Sequence, residues 1–269
     1  MNHYKVVAVD IDGTLIDHDK NLTPPTKQAI EMIKEKGILF GIATGRPVHA
    51  VSNMLRSFGI YEQVDFLVCS NGVQILDLKT NDMTTTHQLT KEDVIKITDF
   101  MKPTGINYCV YDKENVYTST INSIIEGISQ FNLLTPKVVD PKDLPIITTN
   151  KVTFTTYPDE VEKLLRHMQY FDDPRFRAFF TQADLFEFVD ARISKAAGIR
   201  SYLQNKNISM DDVVTFGDAD NDKEMIEEAG LGIAMENATE SVRAIADAIT
   251  KSNQEDGVAY YLYKLFAQG

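Results

Sequence analysis

The sequence predicts a doubly wound α/β core with a mostly parallel sheet, interrupted by an inserted α+β domain. Three observations predict it. Short continuous apolar runs rich in β-branched residues, such as Val6 to Val9, Ile38 to Ala43 and Val213 to Phe216, read as strands buried on both faces. Amphipathic helical stripes separate these runs. From about residue 84 to 189 the pattern changes to strands alternating polar and apolar residues, which marks an antiparallel sheet with one face covered.

The chain has 269 residues, enough for one large domain or two smaller ones. Acids outnumber bases 39 to 27 and the net charge is −12. No Lys/Arg cluster appears, which argues against nucleic acid and anionic membrane surfaces as partners. The two cysteines, Cys69 and Cys109, lie in strand-like apolar runs and are expected to be buried free thiols. The sequence shows no long apolar leader and no stretch of membrane-spanning length, so the expected compartment is the cytoplasm.

The elements follow in order. Val6 to Val9 is too short for a helix, and Asp10 and Asp12 follow it directly, with Gly13 breaking the strand. Two carboxylates at the carboxyl end of a buried strand are costly without a partner, and that end is where ligands bind in open α/β sheets. Solvated acids capping a strand are the plain alternative, but at i and i+2 the two crowd each other, which a cation would relieve. Thr23 before Pro24 and Pro25 is a helix start, with Ala29, Ile30 and Ile33 as its stripe and Gly37 as its end. The strand Ile38 to Ala43 runs into Thr44-Gly45-Arg46-Pro47, and Pro47 opens a helix ending near Gly59. Thr44 therefore offers a hydroxyl, and the helix start free N–H groups, to an anion. Phe66 to Gly72 is a third buried strand closed by Asn71-Gly72, a hairpin signal with VQIL and MTTTHQL as its expected arms.

In the insertion, helices are expected over Lys91 to Met101, Ser119 to Phe131 and Pro158 to Tyr170. Strands are expected at INYCVY, NVYTS, KVTFTTY, FRAFFT and LFEFVD, with TPKVVDPKDLP as a proline-containing linker. After it, Ser194 is the N-cap of a helix whose first residue is Lys195, a placement the helix dipole disfavours. A local rule broken at a helix start suggests a functional constraint, but taken alone a solvent-facing lysine is the favoured reading. The strand Val213 to Gly217 then leads through Asp218, Asp220, Asn221 and Asp222 into a helix from Lys223 to Ala229. LGIAM and ADAIT are two further strands around a helix starting at Thr239, and the helix Gly257 to Phe266 closes the core.

Calcium loops fail at both acidic stretches. Asn21 holds the bidentate glutamate position counted from Asp10, and Lys223 and Ala229 hold the glycine and glutamate positions of the second. The five histidines do not cluster at metal-ligand spacing. Neither GxGxxG after the first strand nor GxxxxGK[ST] is present.

DIDGT, ATG, the SK pair at Ser194 and Lys195, and GDADND stand in this order at strand ends and helix starts. Together they resemble the four motifs of the haloacid dehalogenase-like phosphatases, and the SNG segment with the large insertion resembles the Cof-type subfamily with its C2-type cap. The resemblance implies a core of residues 1–83 and 190–269 and a cap of residues 84–189. It implies Asp10 as nucleophile, Asp12 as general acid/base, and Mg²⁺ held by Asp10, the Asp12 backbone carbonyl and Asp218. Thr44, Lys195 and the N–H groups of Ile11 and Gly45 would hold the phosphoryl oxygens, Asn221 would add a hydrogen bond, and Asp222 would support the metal's waters or Lys195. Arg46 is open between a substrate contact and a surface role. The departure from the family pattern is Ala196 where Gly is usual. The expected function is a Mg²⁺-dependent phosphatase of small phosphorylated metabolites, acting through an aspartyl phosphate, as a monomer or small homo-oligomer. A phosphotransferase or mutase on a sugar phosphate, and a non-catalytic phosphate-binding regulator, are the alternatives.

Overall fold

The computed structural model describes residues 3–267 apart from 113, 133 and 205. Residues 1, 2, 205, 268 and 269 of the expected core, and 113 and 133 of the expected cap, lie outside the described residues. The chain forms two compact units, Met1–Thr86 with Ile193–Gly269, and His87–Arg192. Each junction falls three residues beyond the boundary expected from composition.

In chain order the first unit opens with β1 (Val6–Val9), α1 (Pro24–Glu35), β2 (Leu39–Ala43), α2 (Val48–Phe58), β3 (Phe66–Cys69), β4 (Gln74–Asp77) and β5 (Asp82–Thr85). The second unit carries β6 (Leu89–Thr90), α3 (Lys91–Met101), β7 (Asn107–Asp112), β8 (Asn115–Thr118), α4 (Ser123–Asn132), β9 (Thr135–Val138), β10 (Thr148–Thr149), β11 (Val152–Thr155), α5 (Val161–Met168), β12 (Phe176–Gln182) and β13 (Leu185–Asp190). The first unit resumes with α6 (Lys195–Leu203), β14 (Val213–Gly217), α7 (Lys223–Glu228), β15 (Leu231–Ala234), α8 (Glu240–Arg243), β16 (Ala248–Ile249) and α9 (Gly257–Phe266).

The first unit's sheet has the order β16-β15-β14-β1-β2-β3-β4-β5. β16 through β3 pair in parallel, and β4 and β5 add an antiparallel edge. Strand pleating sends Val7 and Val9 to one face, where they pack in a cluster with Ile30, Ile33, Leu55 and Leu262, residues of α1, α2 and α9. Val6 and Ala8 point to the other face, with Ala196, Ile199 and Leu203 of α6 and Met225 of α7. Both faces are covered, which is why the strands read as unbroken apolar runs. From β1 the chain builds outward through β2 and β3. After the second unit it returns on the opposite side of β1 as β14, β15 and β16. The order thus reverses between β1 and β14, and the crevice at their carboxyl ends is the ligand position of a doubly wound sheet.

The second unit is a six-stranded sheet, β12-β13-β11-β7-β8-β9, with a small two-stranded β10-β6 pair beside it in the chain. It is antiparallel except where β8 pairs with β9 in parallel, the crossover being α4. Its main core joins Val152, Phe154, Phe186 and Phe188 to Val94, Ile97 and Leu164.

Four local expectations are corrected. The Asn71-Gly72 turn joins β3 to β4, and the β4–β5 hairpin turns at residues 78–81 instead. α4 begins at Ser123 and not Ser119, because the Asn122 side chain accepts from the Ile125 N–H (3.0 Å) and caps the helix there. The stretch read as a linker contains β9. The helix expected over Pro158 to Tyr170 is shorter, Val161–Met168, while the one expected from Thr239 is a single turn, Glu240–Arg243, with Thr239 as its N-cap. Cys69 and Cys109 are buried and free. Among the described residues no helix is long and apolar enough to cross a membrane.

Candidate active site

Four loop segments build the site, three at the carboxyl ends of the first unit's strands and one at the start of α6. The first follows β1. The Asp10 N–H donates to the Phe216 carbonyl (3.1 Å), continuing the β1–β14 ladder by one bond and fixing Asp10 at the switch point. The Ile11 carbonyl then accepts the N–H groups of Thr14, Leu15 and Ile16, which curls the chain tightly. Gly13 has φ +81°, and a Cβ there would lie 2.3 Å from Asp218 Oδ2, so both conformation and space require glycine.

The second loop follows β2. Thr44 is buried, its N–H donates to the Val68 carbonyl (2.8 Å) and its Oγ1 accepts the Arg46 N–H (3.2 Å). Arg46 sends Nε to Asp12 Oδ2 and Nη2 to Asp12 Oδ1, both at 2.7 Å. Lys20 Nζ reaches Asp12 Oδ1 at 3.0 Å. Arg46 thus grips the second aspartate with a two-pronged, charge-assisted pair.

The third loop is the start of α6. The Ser194 hydroxyl accepts the Ala197 N–H (3.0 Å) as the N-cap. Lys195 is 1% exposed, and its ammonium donates to Asp10 Oδ1 and Asp222 Oδ1, both at 2.6 Å. The two carboxylates offset the unfavourable dipole at that helix position.

The fourth loop follows β14. Asp222 turns back so that Oδ2 accepts the N–H groups of Asp218 (2.9 Å) and Ala219 (3.0 Å). Thr14 Oγ1 donates to Asp218 Oδ1 (2.7 Å), joining the first loop to the fourth. Asn221 Nδ2 donates to Asn71 Oδ1 (3.0 Å), and a Cβ at Gly45 would lie 3.2 Å from the same oxygen.

Burial drives the electrostatics. Asp10 is pushed well above the usual carboxylate range by burial, with Lys195 opposing and Asp222, Asp218 and Asp12 adding to the rise. Asp218 is pushed up to about 7 by burial and the nearby Asp222 charge, with the Thr14 hydroxyl opposing. Asp12 goes the other way: burial would raise it, but Arg46 and Lys20 hold it below the ordinary value. Burial disfavours the Lys195 charge, yet Asp10 and Asp222 push that ammonium up.

Ligand oxygens of Asp10, Asp218 and Asp222 lie within 4.8 Å of one another. Three carboxylates around one ammonium leave negative charge in excess, and oxygen donors suit a hard divalent cation. Asp222 already has both oxygens engaged, one by Lys195 and one by two backbone N–H groups. Asp10 and Asp218 are thus the carboxylates that fit a Mg²⁺ ion, with Asp222 bracing Lys195 behind them. All the residues singled out in the sequence (Asp10, Ile11, Asp12, Thr44, Gly45, Lys195, Asp218, Asn221 and Asp222) lie on these four loops. Sequence reasoning missed Thr14, Asn71 and Lys20. Thr14 carried a signal, being the hydroxyl that closes DIDGT; Lys20 carried none.

A family model for haloacid dehalogenase-like hydrolases matches residues 7–262. The chain belongs to the haloacid dehalogenase-like hydrolases. It is an enzyme of that hydrolase family. The Bacillus subtilis protein YxeH, provisionally named a phosphatase, is 28% identical over 268 residues, covering 97% of this chain and 98% of its own. The 5-amino-6-(5-phospho-D-ribitylamino)uracil phosphatase YitU of the same organism is 26% identical over 284 residues, 97% of each chain. The crystal structure of the subclass IIB sugar phosphatase BT4131 superimposes with TM-score 0.83 at 23% identity, covering 98% of this chain and 99% of that one, and shows the shared fold.

Proposed function

We propose that this haloacid dehalogenase-like hydrolase is a Mg²⁺-dependent phosphatase of small phosphorylated metabolites. The observation that carries the proposal is the Lys195 ammonium seated between Asp10 and Asp222, with Asp218 beside them, at the topological switch point. Lys195 opposes the burial that favours protonated Asp10, and a bound cation would act in the same direction, towards the ionised form a nucleophile must take. An Asp10 oxygen bonds to phosphorus while the bond from phosphorus to the leaving oxygen breaks, and Asp12 supplies the proton that oxygen needs. Water then attacks phosphorus, Asp12 takes its proton, and the acyl phosphate bond breaks to release inorganic phosphate and restore Asp10. Thr44, Lys195 and the N–H groups of Ile11 and Gly45 would bind the phosphoryl oxygens, and Asn221, tied to Asn71, would align that side of the pocket. A Mg²⁺ ion on Asp10, Asp218 and the Asp12 carbonyl would screen the repulsion between an anionic nucleophile and an anionic substrate.

Residues of the second unit would select the leaving group, supported by the separate fold and composition of that unit. The relative YitU is named for action on a phosphorylated ribityl compound, which supports a reading of polyol and sugar phosphates as first candidates. A cytoplasmic location belongs to the same proposal, supported by two buried thiols that are not paired. The test is phosphate release from a panel of sugar, polyol and nucleotide phosphates with Mg²⁺ and with EDTA. Turnover that needs Mg²⁺ and vanishes in Asp10→Asn is expected. Full activity after exhaustive chelation, or in Asp10→Asn, overturns the mechanism.

A further inference from the structure

The loops after β15 and β16 carry no residue of the proposed chemistry, yet they clasp the loop that does. Asn237 Nδ2 donates to the Gly13 carbonyl (2.8 Å), and Asn237 Oδ1 accepts the Asn253 N–H (3.1 Å). Asn253 Nδ2 donates in turn to the Ile16 carbonyl (2.8 Å). The same β15 loop binds the fourth catalytic loop through its backbone, Met235 N–H to the Gly217 carbonyl (3.0 Å) and Thr239 N–H to the Asp218 carbonyl (2.9 Å). One exposed carboxamide thus joins three segments, and its Gly13 contact lies one peptide from Asp12.

We propose that Asn237, seconded by Asn253, is a positioning residue that sets the placement of Asp12 against Asp10. Gly13 is the reason such a strut is needed. With φ +81° and no side chain it is the least constrained link between the acid/base residue and Thr14, which holds Asp218. Arg46 and Lys20 fix the Asp12 carboxylate by its charge, but both sit on long side chains. The Asn237 amide fixes the backbone behind it. The proposal rests on the phosphatase reading in assigning Asp12 its acid/base role.

The experiment compares Asn237→Ala and Asn237→Asp with the wild type on an aryl phosphate and an alkyl phosphate, with Mg²⁺, in single-turnover kinetics. Asn237→Asp keeps the acceptor for Asn253 and loses the donor to Gly13. An aryl leaving group departs without a proton, and an alkoxide needs one. Both variants are expected to lose on the order of tenfold on the alkyl substrate, within the ~10² that a misplacement of about 1 Å can cost, and about twofold or less on the aryl substrate. KM should hold. Equal losses on the two substrates, or none on either, overturn the strut. The wild-type rate on the aryl phosphate tests the phosphatase reading separately. Amide hydrogen exchange tests the strut without activity: exchange at residues 12–16 should quicken in Asn237→Asp, and unchanged exchange there overturns the proposal.

Discussion

Asp10 and Asp12 are the same residue type two positions apart, and their surroundings drive them in opposite directions. Asp10 is buried with a buried ammonium as its cation, whereas Asp12 is more exposed and is gripped by Arg46 and Lys20. Environments that separate two neighbouring carboxylates in this way are how such pairs divide the roles of nucleophile and acid. Asp12→Asn preserves the shape of the side chain and the backbone carbonyl, and removes the proton. In a single turnover it should lose about 10²–10⁴-fold on an alkyl phosphate and much less on a nitrophenyl phosphate. Equal losses in that step would reassign Asp12 to positioning. The acids were legible in the sequence because paired acids at a buried strand end break a local rule, whereas Lys195, which alone reads as a solvent-facing lysine, was legible through the resemblance of its position to the family's third motif. Arg46 on Asp12, Asn71 with Asn221 and Asn237 on Gly13 were not, because each is a contact across 34 or more positions of sequence. No periodicity records which distant side chain a polar group will meet.

The start of α6 shows how an element delivers a residue. Lys195 can only reach Asp10 and Asp222 if the helix begins where it does. Two features fix that point: the Ser194 hydroxyl capping Ala197, and Gly72, where a Cβ would lie 2.2 Å from the Ser194 carbonyl oxygen. Ser194→Ala should cost about 1 kcal/mol of stability, read as a fall in Tm. It should also lower kcat several-fold as Lys195 loses its register, with Ser194→Thr restoring both. A lost Tm with kcat unchanged would show that the Gly72 contact alone holds the helix start. The core strands were legible because burial on both faces writes a continuous apolar run. β9 was hidden by Pro136, which an edge strand tolerates, and by a parallel pairing to β8 that no local pattern announces. The Asn71-Gly72 turn was recognised and its strands misassigned, since a second turn eight residues on offers the same chain an equally good partner.

At the scale of the molecule, the first unit concentrates negative charge at the centre of its own sheet, and a cation is the natural counterweight. Burial and neighbouring carboxylates push the Asp218 carboxyl up to about 7, from the 3.8 of the unburied group, and Asp10 shifts in the same direction. Between those values the folded protein holds protons that the unfolded chain has released. Stability linked to these groups is therefore present at low pH and lost as pH rises through the folded value. Carboxyls held low, such as those of Asp77, Asp190 and Asp220, act at more acid pH and leave this window to the site. Mg²⁺ binding must displace the same protons, so it should stabilise more where they are already gone. Thermal unfolding in EDTA should show Tm falling from about pH 5.5 to about pH 8. With Mg²⁺ the fall should flatten, and the gain from Mg²⁺ should be larger at the higher pH. Asp218→Asn should abolish both the decline due to that group and most of the metal's gain. A metal gain equal at the two pH values, or a Tm in EDTA that rises across this range, would show that the acids are balanced within the protein and that no cation is built into the fold.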